Sequence, residues 1–416
     1  MNGATEPAAN ERIPALDGLR GLAVLAVIAV HANVLYGGET VAGGAGAVVA
    51  RLLGAGWIGV DLFFCLSGFL ITRILWQARR SPHYFRDFYA RRLLRILPLY
   101  YAFVVVVFLG VYRLAPPTHS LSGGDVLSVL FYTNNLHYAA TGVAVPHLGH
   151  FWSLAVEEHF YLLWPLAVRL LPRRRLMQLC LTGAALALAL RLALVAGDAW
   201  PFSAYLLTPC RLDGLLFGSL LALAAQDAAD LRHLRWALRS AALPAVASLA
   251  AIVIWNGEFS ARPHGADLRL TVTAGIAGIA VLLAGALARA VYGGGRWGRL
   301  LQTPWLRTVG RYSYAMYVCH CLVVSGLKLL LETRLRTLAA LPAAAGKLLT
   351  VVVVALLSLA AGWASYHLWE KHFLKLQRHF TYTGSRHESV VRTAASAVPR
   401  LAEQRFPELP KELVKC

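Results

Sequence analysis

Ten times along the chain, roughly 20 consecutive residues are predominantly apolar, at about 16–36, 56–76, 96–114, 151–171, 177–196, 203–225, 237–255, 268–289, 312–331 and 348–368. A helix of that length matches the bilayer's hydrocarbon core of about 30 Å. In lipid every backbone N–H and C=O must be satisfied within the protein, so such runs become helices. The expected fold is all-α, a polytopic membrane protein of about ten transmembrane helices. Composition closes the alternatives. Hydrophobic residues make up 58% of the 416 and charged residues 15%, against about 25% charged in soluble domains. No soluble surface could cover so much apolar side chain, and disorder or a disulfide scaffold is equally excluded.

Forty Lys and Arg stand against 21 Asp and Glu, a net charge of +19. Nucleic acid is not the expected partner, because the arginines sit at the ends of apolar runs rather than on a polar domain. They are read instead as topology. With the N-terminus cytoplasmic, 19 cations fall in the inner connections and six, Lys347 among them, in the outer ones. Short loops rich in Lys and Arg stay inside, so both termini are expected in the cytoplasm.

Three segments follow: a polar N-terminal stretch over 1–14 with no cleavable signal, a membrane domain over 15–370, and a cytoplasmic tail over 371–416. The stretch 123–138 is too short and polar to span, which makes it a re-entrant or surface segment. No internal repeat of the transporter kind is present. Cys65, Cys180, Cys210, Cys319 and Cys321 lie in apolar runs and Cys416 ends the chain. Without a CxxC or Cys/His spacing they read as packing residues, and no metal is expected.

An ionisable group at membrane depth costs several kcal/mol unless paired or wet, which makes each one a functional candidate. The first run carries Arg20 and His31, about 16 Å apart along a helix. The fourth opens HFWSLAVEEHFYLLWP and places Glu157 about 10 Å below His150, level with His31 by that reckoning. An imidazole and a carboxylate at one depth are the parts of a general-base pair; they are equally the parts of a structural ion pair. Asp61, Arg211, Asp213, Ser313, Tyr317 and His320 fall in the same layer, which implies a polar cavity. Arg211 paired with Asp213 or Asp61 would be structural.

After the second run comes RDFYARRLLRILPLYY. Arg92 and Arg95 are three apart and share one helix face, next to Arg91. Such a helix anchors to anionic lipid headgroups, or holds a polyanionic ligand through phosphate contacts. Residue chemistry leaves both open.

These segments together resemble the acyltransferase-3 family, bacterial integral membrane O-acyltransferases, from Ile13 to Phe373. The matching pieces are IPALDGLRGLAVLAVIAVH, GWIGVDLFFCLSGFLIT, FYARRLLRILPLYY, HFWSLAVEEHFYLLWP, RLDGLLFGSLLA, SYAMYVCH and YHLWEKHF. The resemblance implies transfer of an acyl group, commonly acetyl from acetyl-CoA, to a hydroxyl of a carbohydrate or a glycosylated metabolite such as a macrolide. Carried over by position, Arg20 and His31 match the family's essential pair, Arg92 and Arg95 its basic motif, and Glu157 its acidic residue.

The resulting expectation is His31 as general base oriented by Glu157. Arg20, Arg91, Arg92 and Arg95 would hold the CoA nucleotide. Asn135, His150, Ser153, Arg211, Ser313 and Tyr317 are the substrate or oxyanion candidates, with Asp61, Asp213 and His320 nearby. Two departures stand out. His372 occupies the place of an expected proline, and no hydrolase-like domain is appended, so transfer is expected to finish at the membrane domain. A transporter or flippase for a lipid-linked sugar is the leading alternative.

Overall fold

A computed structural model describes residues 13–33, 35, 44–117, 120–256, 268–333 and 343–381. Among them no strand occurs. The longer helices are α1 (Pro14–Ala32), α2 (Gly44–Gly54), α3 (Ile58–Ala78), α4 (Tyr84–Val105), α5 (Gly123–Leu130), α6 (Asn134–Thr141), α7 (Trp152–Leu170), α8 (Arg173–Ala196), α9 (Leu212–Ala224), α10 (Ala228–Asn256), α11 (Ile276–Tyr292), α12 (Pro304–Thr333) and α13 (Ala343–Ser365).

Eight helical stretches are long and apolar enough to cross a membrane. Two of the ten expected spans are not among them, each for a local reason. The fourth, α7, carries Glu157, Glu158 and Arg169 within 19 residues. The sixth is broken into Pro201–Leu206, a 3-10 turn Thr208–Arg211, and α9. Pro209 lacks an N–H and cannot continue the helical ladder; Leu207, two residues before it, is extended, with φ −65° and ψ 130°.

Lipid offers helices no hydrophobic drive to associate, so close packing and hydrogen bonds must hold the bundle. Two pairs dominate, α3 on α9 and α1 on α12. Glycine makes both possible. A Cβ at Gly68 would overlap the Leu215 carbonyl oxygen, and one at Gly310 the Asp17 carbonyl oxygen. Gly310→Ala is therefore expected to abolish monodisperse folded protein in detergent, by size-exclusion chromatography. Gly326→Ala, where the added carbon meets open space, should elute as wild type. The outer helices present their apolar side chains outward, as Ile254 does at 83% exposure.

The non-spanning stretch forms α5 and α6. Ser122 caps α5 through a reciprocal box with Asp125, whose carboxylate also meets His137 at 3.0 Å. Partial burial pushes the Asp125 carboxyl up, but the Ser122 hydroxyl and N–H outweigh it and hold the group below its usual range. After α13 the chain makes a π-turn, Tyr366–Glu370, then a short helix Lys371–Leu376, so His372 continues the helix instead of ending it. The tail beyond 381 lies outside the described residues. Lys347, counted above with the outer cations, is fully buried in α13 and donates to the Asn33 carbonyl at 3.1 Å.

Candidate active site

Helices α1, α3, α4, α7 and α12 line a partly open cavity of about 90 Å³. Arg20 from α1 and Arg92 and Arg95 from α4 line it, facing Ser67, Glu157, Glu158 and Tyr161. The shared face expected of Arg92 and Arg95 is realised. Arg92 lies over the Tyr161 ring, 5.0 Å from its centroid. Among the described residues neither Arg92 nor Arg95 forms a salt bridge, while Arg20 reaches Asp17 at 3.8 Å. Arg91 points elsewhere, since successive helical residues diverge by about 100°. It donates to the Gln377 and Phe380 carbonyls at 3.3 and 3.0 Å and so ties α4 to the C-terminal helical turn.

Glu157 accepts from the Ser67 hydroxyl at 2.8 Å and the Tyr161 hydroxyl at 3.0 Å. His31 does not join it. The His31 Nδ1 donates to its own helix at the Val27 carbonyl, 2.8 Å away, and its ring meets that of His320 edge-on, centroids 4.8 Å apart. Equal depth along two helices does not make two residues neighbours; His150 sits in a 3-10 turn, Gly149–Phe151, and is only 6% exposed. Its ring lies 4.8 Å from His320. The neighbours of His31 are thus His320 and His150, and Glu157 lies in the arginine-lined cavity.

One wall separates the two sets. Ser153 and Tyr317 line the cavity, and their hydroxyl oxygens are 2.5 Å apart. Both hydroxyls reach the His150 carbonyl, Tyr317 at 2.9 Å and Ser153 at 3.3 Å. The Tyr317 ring in turn packs 5.5 Å from both His150 and His320. Ser313 also lines the cavity.

Asn135 and Arg211 do not. Asn135 donates to the Leu206 carbonyl at 3.2 Å and to Thr208 at 2.9 Å, holding the broken span in place. Arg211 pairs with Asp61 at 2.7 Å inside a cage of Phe64, Trp152 and Tyr205, the last 4.6 Å from its guanidinium. Asp213 pairs with Arg191 at 2.8 Å. Reading the sequence missed Arg191, although a lone Arg in the run ALALRLALVA was the signal available.

Removing one partner of a buried pair strands the other charge, at about 3–5 kcal/mol. Arg211→Met is expected to destabilise by that order in an SDS-unfolding titration. Arg211→Met with Asp61→Leu should recover most of the loss. The Arg211–Asp61 and Arg191–Asp213 pairs thus fasten α3, α8 and α9 together.

A family profile described as an acyltransferase domain matches residues 13–367. The chain is 37% identical over 164 residues to the peptidoglycan O-acetyltransferase OatA of Listeria monocytogenes, over 37% of this chain and 24% of that protein. It is 33% identical over 231 residues to the O-acetyltransferase OatA of Staphylococcus aureus, over 50% of this chain and 34% of that protein. A putative peptidoglycan O-acetyltransferase, YrhL of Bacillus subtilis, is 37% identical over 163 residues, over 37% of this chain and 23% of that protein. The chain spans about a quarter to a third of the length of these curated relatives. No solved structure matches it.

Proposed function

The chain belongs to the acyltransferase-3 family, and from that premise we propose that it moves an acetyl group from acetyl-CoA to a hydroxyl of a cell-envelope glycan, peptidoglycan first. The observation that carries this reading is the cavity itself. It is lined by Arg92 and Arg95, which among the described residues form no salt bridge, and by the Ser153 and Tyr317 hydroxyls, which are backed by histidines. The names of its relatives support the acetyl group and the glycan.

The donor's polyanionic nucleotide end lies against Arg92, Arg95 and Arg20, through charge-assisted contacts to phosphate oxygens. The cytoplasmic face supplies CoA, so these arginines face the cytoplasm and both termini lie there, in the inner membrane. The thioester extends along the cavity toward Ser153 and Tyr317. His31 donates Nδ1–H to Val27, which fixes the tautomer and leaves the Nε2 lone pair as the base. That nitrogen takes the proton of the acceptor hydroxyl as its oxygen attacks the thioester carbonyl. The Tyr317 and Ser153 hydroxyls turn from the His150 carbonyl to donate to the tetrahedral oxyanion. Collapse breaks the C–S bond, and the departing thiolate takes the proton from His31. Glu157 serves the donor end, balancing Arg20 and Arg92 while ordering Ser67 and Tyr161.

The test is purified protein in vesicles with radiolabelled acetyl-CoA and soluble peptidoglycan fragments. Label in the glycan, removable by mild base as an ester, is the expected result. Movement of unmodified glycan across the vesicle wall without label incorporation would instead support a flippase.

A further inference from the structure

Three imidazoles converge beyond the hydroxyl wall, and each spends one nitrogen on a backbone carbonyl. His31 Nδ1 meets Val27 at 2.8 Å, His320 Nδ1 meets Tyr317 at 2.6 Å, and His150 Nε2 meets Val318 at 3.2 Å. A carbonyl only accepts, so each of these nitrogens carries the proton and the opposite nitrogen keeps a lone pair. Each ring therefore keeps one lone pair, and the His31 and His150 rings both lie 4.8 Å from that of His320. The Cys321 thiol approaches His320 Nε2 at 3.4 Å, and His150 Nδ1 is buried with no hydrogen-bond partner. Imidazoles oriented through the far nitrogen by a carbonyl are the usual supporting arrangement of histidine ligands to a metal.

We infer that His31, His320 and Cys321 form a binding site for a thiophilic divalent cation, with Zn²⁺ as its ligand, and that occupancy blocks the base. The three ligand atoms lie within 4.8 Å of one another. Zinc–nitrogen and zinc–sulfur bonds of about 2.0–2.3 Å need them closer by roughly 1 Å. Two or three imidazoles with a thiolate suit zinc better than magnesium or calcium. On binding, the Cys321 thiol loses its proton to solvent and the His31 Nε2 lone pair becomes a zinc bond. That nitrogen can then no longer take a proton from a hydroxyl. Sequence spacing hid the site because its ligands come from separate helices, α1 and α12.

The test uses the full chain, freed of metal by chelation and titrated with Zn²⁺ against a chromophoric chelator, then with Co²⁺. Stoichiometric binding and a thiolate-to-cobalt charge-transfer band are expected. Cys321→Ser should lose the band and weaken zinc binding by at least about 10–100-fold, the cost seen even for outer-shell partners. Cys180→Ser, a buried thiol elsewhere, should keep both. Zn²⁺ should inhibit acetyl transfer by wild type, with half-inhibition shifted by the same factor in Cys321→Ser and the metal-free rate unchanged. A wild-type chain that binds no cobalt, or a Cys321→Ser chain with undiminished zinc affinity, overturns the site. Binding without inhibition overturns its link to His31. The titrations need no turnover, so they fail separately from the proposed reaction.

Discussion

His31→Ala is expected to lower acetyl transfer by about 10²–10⁴-fold, the range a positioned general base contributes, with acetyl-CoA affinity unchanged. The separation of effects follows from where the residue sits. His31 lies next to His320 and does not line the cavity that takes the donor. Its loss removes the proton acceptor and leaves Arg20, Arg92 and Arg95 in place. The fall should therefore appear in kcat, with donor binding measured directly by calorimetry on the folded variant. Glu157→Gln makes the contrast. It keeps oxygen for Ser67 or Tyr161 but removes a charge facing the arginines, so its effect should fall on the donor KM. Near wild-type turnover by folded His31→Ala would end the general-base reading.

Arg92→Ala and Arg95→Ala are each expected to raise the acetyl-CoA KM by about 10–100-fold, since a hydrogen bond to a charged group contributes roughly 1.5–3 kcal/mol. Arg92 also loses its place over the Tyr161 ring, so its variant should show the larger change. Lysine at either position keeps the charge but not the bidentate fork and should restore binding only in part. High salt should weaken the wild type toward the variants, as expected for phosphate contacts open to solvent. If both variants lose folded protein while the surviving fraction binds acetyl-CoA normally, the helix is a lipid anchor.

The helices were legible because a bilayer leaves few choices. Apolar length and the cost of an unsatisfied backbone dictate them with little help from side-chain detail. The i,i+3 spacing of Arg92 and Arg95 was enough to assign them one face, and the cavity holds both. What escaped depended on which helices lie side by side. Depth along a helix gives no lateral neighbour: α1 packs against α12, which brings His31 to His320 and not to Glu157. The outcome is a histidine cluster on one side and a carboxylate in the arginine-lined cavity on the other. Partner choice was equally hidden. Depth allowed Arg211 either aspartate, and only the packing of α8 against α9 gives Asp213 to Arg191 and Asp61 to Arg211. The break at Pro209 was visible as a residue but not as a device that aims Arg211 into its aromatic cage.

The proposed reaction brings the donor in over Arg92 and Arg95 and the acceptor to the hydroxyl wall in front of His31, so sidedness is the most direct measurement. Protein reconstituted in one orientation into sealed vesicles is given radiolabelled acetyl-CoA on a single face, with glycan fragments outside or inside. The expected result is labelled glycan only when the donor contacts the face carrying Arg92 and Arg95, with transfer abolished by His31→Ala. Equal labelling from either face, or label that survives His31→Ala, would contradict it.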